Sequence, residues 1–259
     1  MNRLWSENAS ASGSFSWANN PQSHSSATLE SCGRSSFFLP VQYESNYQYP
    51  LVIWLHNEGS DQTQMSSVVP SISMQNYIGV GVRAPRATDS MGHGFSWLQS
   101  EAGIAITEQT LFDAIELASS RYSINRDRVC LVGYREGGTM ALRTALRHPT
   151  AFAGAISLGG RFPTGSRPLA NLEAARNLPM MIALGTDESG YPTNDLCRDL
   201  RHLHAARIGL DLRQYDVANE LHPQILSDVN EWIMGQVTGV DTLHTATMCD
   251  TEPVEFSAN

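Results

Sequence analysis

Short apolar runs alternate with longer amphipathic stretches along most of this chain, and that alternation leaves few folds open. Each run is the length of one strand, and each stretch between runs is long enough for a crossover helix, the pattern of βαβ units around a largely parallel sheet. Strands are expected at Phe37 to Tyr43, Leu51 to Leu55, Tyr77 to Val82, Val129 to Val132, Ala153 to Leu158, Pro179 to Leu184 and Leu212 to Val217. Several are apolar throughout, as strands covered by helices on both faces should be. The clearest helix runs from Glu101 to Tyr122, where Ile104, Leu111, Ile115 and Ala118 share one face at helical spacing. Gly138 to Arg147, Asn194 to Ala206 and Pro223 to Met234 follow as helices, the first stopped by Pro149 and the last opened by Pro223.

The ends read differently. Residues 1–35 form a Ser/Asn-rich stretch with little apolar periodicity, expected as a flexible arm, and residues 235–259 a polar, acidic tail. This leaves 36–234 as a single α/β domain, with no internal repeat. A net charge of −9 argues against nucleic acid and anionic membrane as partners. All 17 basic residues are arginines, which excludes Schiff-base, P-loop and Ser-Lys chemistry. The four cysteines, Cys32, Cys130, Cys197 and Cys249, show no metal-ligand spacing, so neither metal nor cofactor is expected. With no apolar leader and no run as long as a membrane span, a reducing, cytoplasmic setting is the simplest expectation.

The chemistry concentrates in Val129-Cys130-Leu131-Val132-Gly133-Tyr134-Arg135-Glu136-Gly137-Gly138, a strand, a turn bracketed by glycines, and the start of a helix. A nucleophile elbow has this layout, with G-x-S-x-G placing a serine at the tip of a strained turn. Here it reads G-Y-R-E-G. Three further segments stand in the order such a site requires: Leu55-His56-Asn57-Glu58-Gly59 after one strand, Leu184-Gly185-Thr186-Asp187-Glu188-Ser189-Gly190-Tyr191-Pro192 after another, and Glu220-Leu221-His222 before the last helix.

With these motifs the chain resembles the phospholipase/carboxylesterase family of α/β-hydrolases from about Phe37 to Met234. Supporting stretches are Arg83-Ala84-Pro85-Arg86, Phe95-Ser96-Trp97 and Ile124-Asn125-Arg126-Asp127-Arg128. The resemblance implies an α/β-hydrolase fold. It puts the nucleophile position on Arg135, the acid on Glu188 with Asp187 adjacent, the histidine on His222, and the oxyanion-hole N–H groups on Glu58 and Glu136. Trp97 is expected to pack beside the cleft as a pocket wall. The pattern departs from the family at Arg135, at Asn57 in place of the first glycine of H-G-x-G, and at Leu184 in place of the histidine of H-G-T.

A guanidinium has no free lone pair and stays protonated, so it cannot form an acyl-enzyme. Three readings follow. In the first, a hydrolase without ordinary serine-esterase activity pairs Arg135 with Glu188 or Asp187, or binds an anionic small molecule through Arg135 and His222. In the second, His222 acts as general base on a water, with Arg135 stabilising the oxyanion. In the third, the chain is an interaction module. The plainer roles are that His222 caps its helix, that Asp187 and Glu188 form a solvated loop, and that Ser96 and Ser189, without an elbow, are not nucleophiles.

Overall fold

A computed structural model describes residues 28–186, 190–218 and 220–239. In chain order the elements are β1 (Thr28–Cys32), β2 (Ser35–Leu39), β3 (Tyr49–Leu55), α1 (Met65–Ile72), β4 (Ile78–Val82), the two-residue strands β5 (Arg86–Ala87) and β6 (Phe95–Ser96), and α2 (Glu101–Arg121). They continue with β7 (Ile124–Tyr134), α3 (Glu136–Arg147), β8 (Gly154–Leu158), α4 (Leu172–Ala175), β9 (Met180–Leu184), α5 (Thr193–Ala206), β10 (Asp211–Gln214) and α6 (Pro223–Thr238).

Eight strands form one sheet in the order β1-β2-β4-β3-β7-β8-β9-β10. From β4 to β10 all pairings are parallel, while β2 is antiparallel to both of its neighbours. This mostly parallel sheet, flanked by helices, has the α/β-hydrolase architecture. In β3 the two-residue side-chain period divides one strand between two cores: Leu51, Ile53 and Leu55 enter the cluster holding Ile104, Leu111, Met140 and Leu203, and Val52 and Trp54 the cluster holding Met65, Val69, Ile225 and Trp232. So α2, α3 and α5 cover one face, and α1 and α6 the other.

The parallel strands and long helices stand where the sequence predicts them, with ends shifted by a few residues. Two elements correct that reading. The last residues of the Ser-rich stretch expected as an arm form β1, which pairs with β2 from Thr28↔Leu39 to Cys32↔Ser35. Its first four residues are exposed, so an edge strand held by backbone pairing leaves little apolar pattern to detect. The helix α1, with Pro70 inside it, was not anticipated. At the far end α6 runs on to Thr238 and closes on Gly239 in a left-handed turn.

Candidate functional site

The turn between β7 and α3 carries Arg135 at its tip, with φ 49° and ψ −114°. That pair lies outside the left-handed helical well and costs a non-glycine residue about 1–3 kcal/mol unless its surroundings hold it. Both of its backbone groups are engaged: the Arg135 N–H donates to the Leu158 carbonyl (2.8 Å), and the Arg135 carbonyl accepts from the Thr139 N–H (3.0 Å). Close packing on either side requires glycine. A Cβ on Gly137 would run into the carbonyl oxygens of Leu55 and His56, and one on Gly133 into the backbone of Gly137. The Arg135 guanidinium lies 5.2 Å from the centroid of the Tyr134 ring.

Facing this turn is the loop that leaves β3. His56 is fully buried. Its Nδ1–H donates to the Asn57 carbonyl (2.7 Å), and its Nε2 accepts from the Ala84 N–H (3.1 Å), so the ring is neutral with one tautomer fixed. Burial holds its pKa below the usual histidine value, since a charged ring would lose its hydration. Trp97 is buried too, and its indole N–H donates to the His56 carbonyl (2.7 Å), with the two rings 5.1 Å apart. Trp97 therefore packs behind the loop and fixes it.

Asn57 has a definite task. Its side-chain amide donates to the Glu58 carbonyl (3.0 Å) and accepts from Gln64 (2.5 Å), and Gln64 accepts in turn from the Trp54 indole (3.0 Å). This chain of bonds anchors the Glu58 carbonyl, while the His56 Nδ1–H bond to the Asn57 carbonyl holds the preceding peptide, whose N–H, that of Glu58, donates to the Glu136 carboxylate across the cleft (3.2 Å).

Beside the turn lies a cavity of about 630 Å³, lined among others by Arg135, Glu136, Arg143, Arg161, Tyr191 and Asp199. Sequence reasoning missed the last four. Arg143 is 2% exposed on α3. It donates to Gln99 (3.0 Å) and to the carbonyls of Gly165 (3.0 Å) and Thr164 (2.7 Å), and burial lowers its pKa. A lone arginine within the apolar run Met140 to Leu146 was the available signal. Arg161 donates to the Gly190 carbonyl (2.6 Å) and faces Asp195 (3.6 Å). The Tyr191 hydroxyl donates to buried Asp199 (2.8 Å), and burial raises its pKa.

His222 is half-buried at the amino end of α6 and caps it, Nδ1 accepting from the Gln224 N–H (3.2 Å). It does not line the cavity. Ser96 is buried and accepts from Arg86 (3.1 Å). Asp187, Glu188 and Ser189 lie outside the described residues. Among the described residues, no group of three His, Cys, Asp or Glu side chains could hold a metal ion, and no helix is long and apolar enough to cross a membrane.

The model of the Phospholipase/Carboxylesterase family matches residues 40–234. A solved carboxylesterase from Mesorhizobium loti superposes with a TM-score of 0.63 at 18% identity, covering 81% of this chain and 99% of that one. Arabidopsis thaliana SOBER1 gives 0.60 at 18%, covering 73% and 99%. The Bacillus cereus carboxylesterase gives 0.57 at 15%, covering 78% and 93%. At such identities the likeness is one of fold. In sequence, 73 residues are 34% identical to NocK of Nocardia uniformis subsp. tsuyamanensis, which is 28% of this chain and only 20% of that relative's length.

Proposed function

Given that the chain belongs to the phospholipase/carboxylesterase family, we propose that it is a member without serine-esterase activity, which binds a small carboxylate or ester-like molecule where its relatives would cleave one. The observation carrying this reading is Arg135 in the strained conformation at the tip of the β7–α3 turn. That is the place of the nucleophile in an elbow, and a protonated guanidinium there cannot attack a carbonyl. Loss of a nucleophile costs roughly 10⁶ in rate in a serine hydrolase, leaving about 10³ to 10⁴ over water from binding and the oxyanion hole.

Two features favour a binding role. A guanidinium at a helix amino terminus suits a carboxylate, and the adjoining cavity is large enough for a small organic acid. His222 in turn commits Nδ1 to capping α6, whereas a triad histidine donates from Nδ1 to its acid. The role of Asp187 and Glu188 as partners of Arg135 belongs to the same proposal.

The test is turnover of short and medium acyl esters by the purified chain and by His222→Ala, together with thermal unfolding in acetate and butyrate. The expected result is no turnover above background in either protein, and stabilisation by the carboxylates that Arg135→Ala abolishes. A ligand at a hundred times its Kd stabilises by about 2.7 kcal/mol, a shift easily read. Turnover that vanishes in His222→Ala would overturn the proposal in favour of water activation by His222. Carboxylates that do not stabilise the chain would remove the binding half.

A further inference from the structure

The resemblance to the family assigns the oxyanion-hole N–H groups to Glu58 and Glu136, and the structure puts a carboxylate against the first of them. The peptide that carries the Glu58 N–H is held by buried His56, whose Nδ1–H donates to the Asn57 carbonyl, and what that N–H meets is Glu136 Oε2 at 3.2 Å. Two separate loops are held in register for this contact, because the Gly137 backbone packs directly on the Leu55 and His56 carbonyls. Glu136 also stands in the first turn of α3, where the helix field favours a negative charge.

We propose that the Glu136 carboxylate is the resident occupant of this hole, an internal anion seated where a ligand's carboxylate or a reaction's oxyanion would otherwise go. This rests on the reading of the site given above and adds a second block beside Arg135. A ligand carboxylate then competes with Glu136 for the Glu58 N–H. Restoring a serine at position 135 would leave the hole filled.

The experiment follows the backbone amide of Glu58 by NMR in the native chain, Glu136→Ala and Glu136→Gln, each titrated with acetate. Glu136 is exposed, so removing its side chain disturbs no core. The Glu58 amide should shift in Glu136→Ala and fall between the two in Glu136→Gln, whose amide oxygen is a weaker acceptor. Acetate should move the resonance back towards its native position in Glu136→Ala, with an affinity at least about tenfold above the native chain's, as removal of one charge-assisted competitor implies. An unchanged Glu58 amide in Glu136→Ala would overturn the proposal, as would acetate moving that amide equally well in the native chain. A Glu58 shift in Glu136→Ala that acetate cannot reverse would still support the internal contact, and would count against the carboxylate-binding reading instead.

Discussion

At Gly137 the chain has room for hydrogen and nothing larger, because Leu55 and His56 present carbonyl oxygens where a Cβ would stand. Gly137→Ala should therefore push the β3 loop away from the turn and destabilise the fold by about 1–3 kcal/mol, the usual cost of overpacking, with the midpoint of urea unfolding as the measure. An unshifted midpoint would mean that the two loops are not in contact. His56, behind the same loop, gives a pH signature. Its folded pKa is lowered by burial, while in the unfolded chain it titrates near the ordinary value of about 6.5. Below that value the unfolded chain takes up a proton that the native chain refuses, so stability falls as pH drops through 6.5 towards the folded pKa. Stability measured from pH 7.5 to 5 should fall less steeply in His56→Gln, which keeps a donor and an acceptor without a titrating ring. Parallel curves would show that His56 is not buried neutral.

Elements of the fold were legible in proportion to how far local pattern and burial agree. The strands β3, β4, β8 and β9 are buried at every position and appear as apolar runs, interrupted only by Ser157 in β8. Only half of β7 was legible, since Asn125 to Arg128 are charged or polar, although the strand begins at Ile124. At the site, the glycines and the order of motifs disclosed the turn at Arg135 and the position of Glu58. Of the cavity residues, Arg161 follows β8 while Tyr191 just precedes α5 and Asp199 lies within it, two segments that meet only in space. The helix α2 was the plainest element because Ile104, Leu111, Ile115 and Ala118 recur on one face, and at its start Ser100 caps it, its hydroxyl accepting from the Gly103 N–H (3.3 Å). Ser100→Ala should lower stability by about 1 kcal/mol in equilibrium unfolding, and Ser100→Asp by much less, because a carboxylate can serve the same cap. Equal losses in the two variants would assign the effect to something other than capping.

Across the whole molecule, the two helical layers are joined through one sheet whose strands feed both cores, so the layers should fail together. The layer containing α6 offers a direct probe. Trp232 is buried against the sheet face covered by α1 and α6, and its ring sits so close to Gly154 that a Cβ there would lie 2.7 Å from Cη2. Two residues earlier, Asn230 Oδ1 accepts from the hydroxyl of fully buried Tyr77 (2.7 Å), tying α6 to the start of β4. Trp232→Ala removes a large apolar side chain and should cost about 3–5 kcal/mol, while Asn230→Ala weakens a buried hydrogen-bond pair and should cost about 1–3 kcal/mol. In both variants, unfolding followed by far-UV circular dichroism and by tryptophan fluorescence should coincide, as it should in the native chain, because no layer retains a core without the sheet. Separate transitions in Trp232→Ala would mean that the face carrying Arg135 and the cavity keeps its structure after α1 and α6 have left. The site would then rest on the α2, α3 and α5 layer alone, and its geometry would be independent of the other half of the fold.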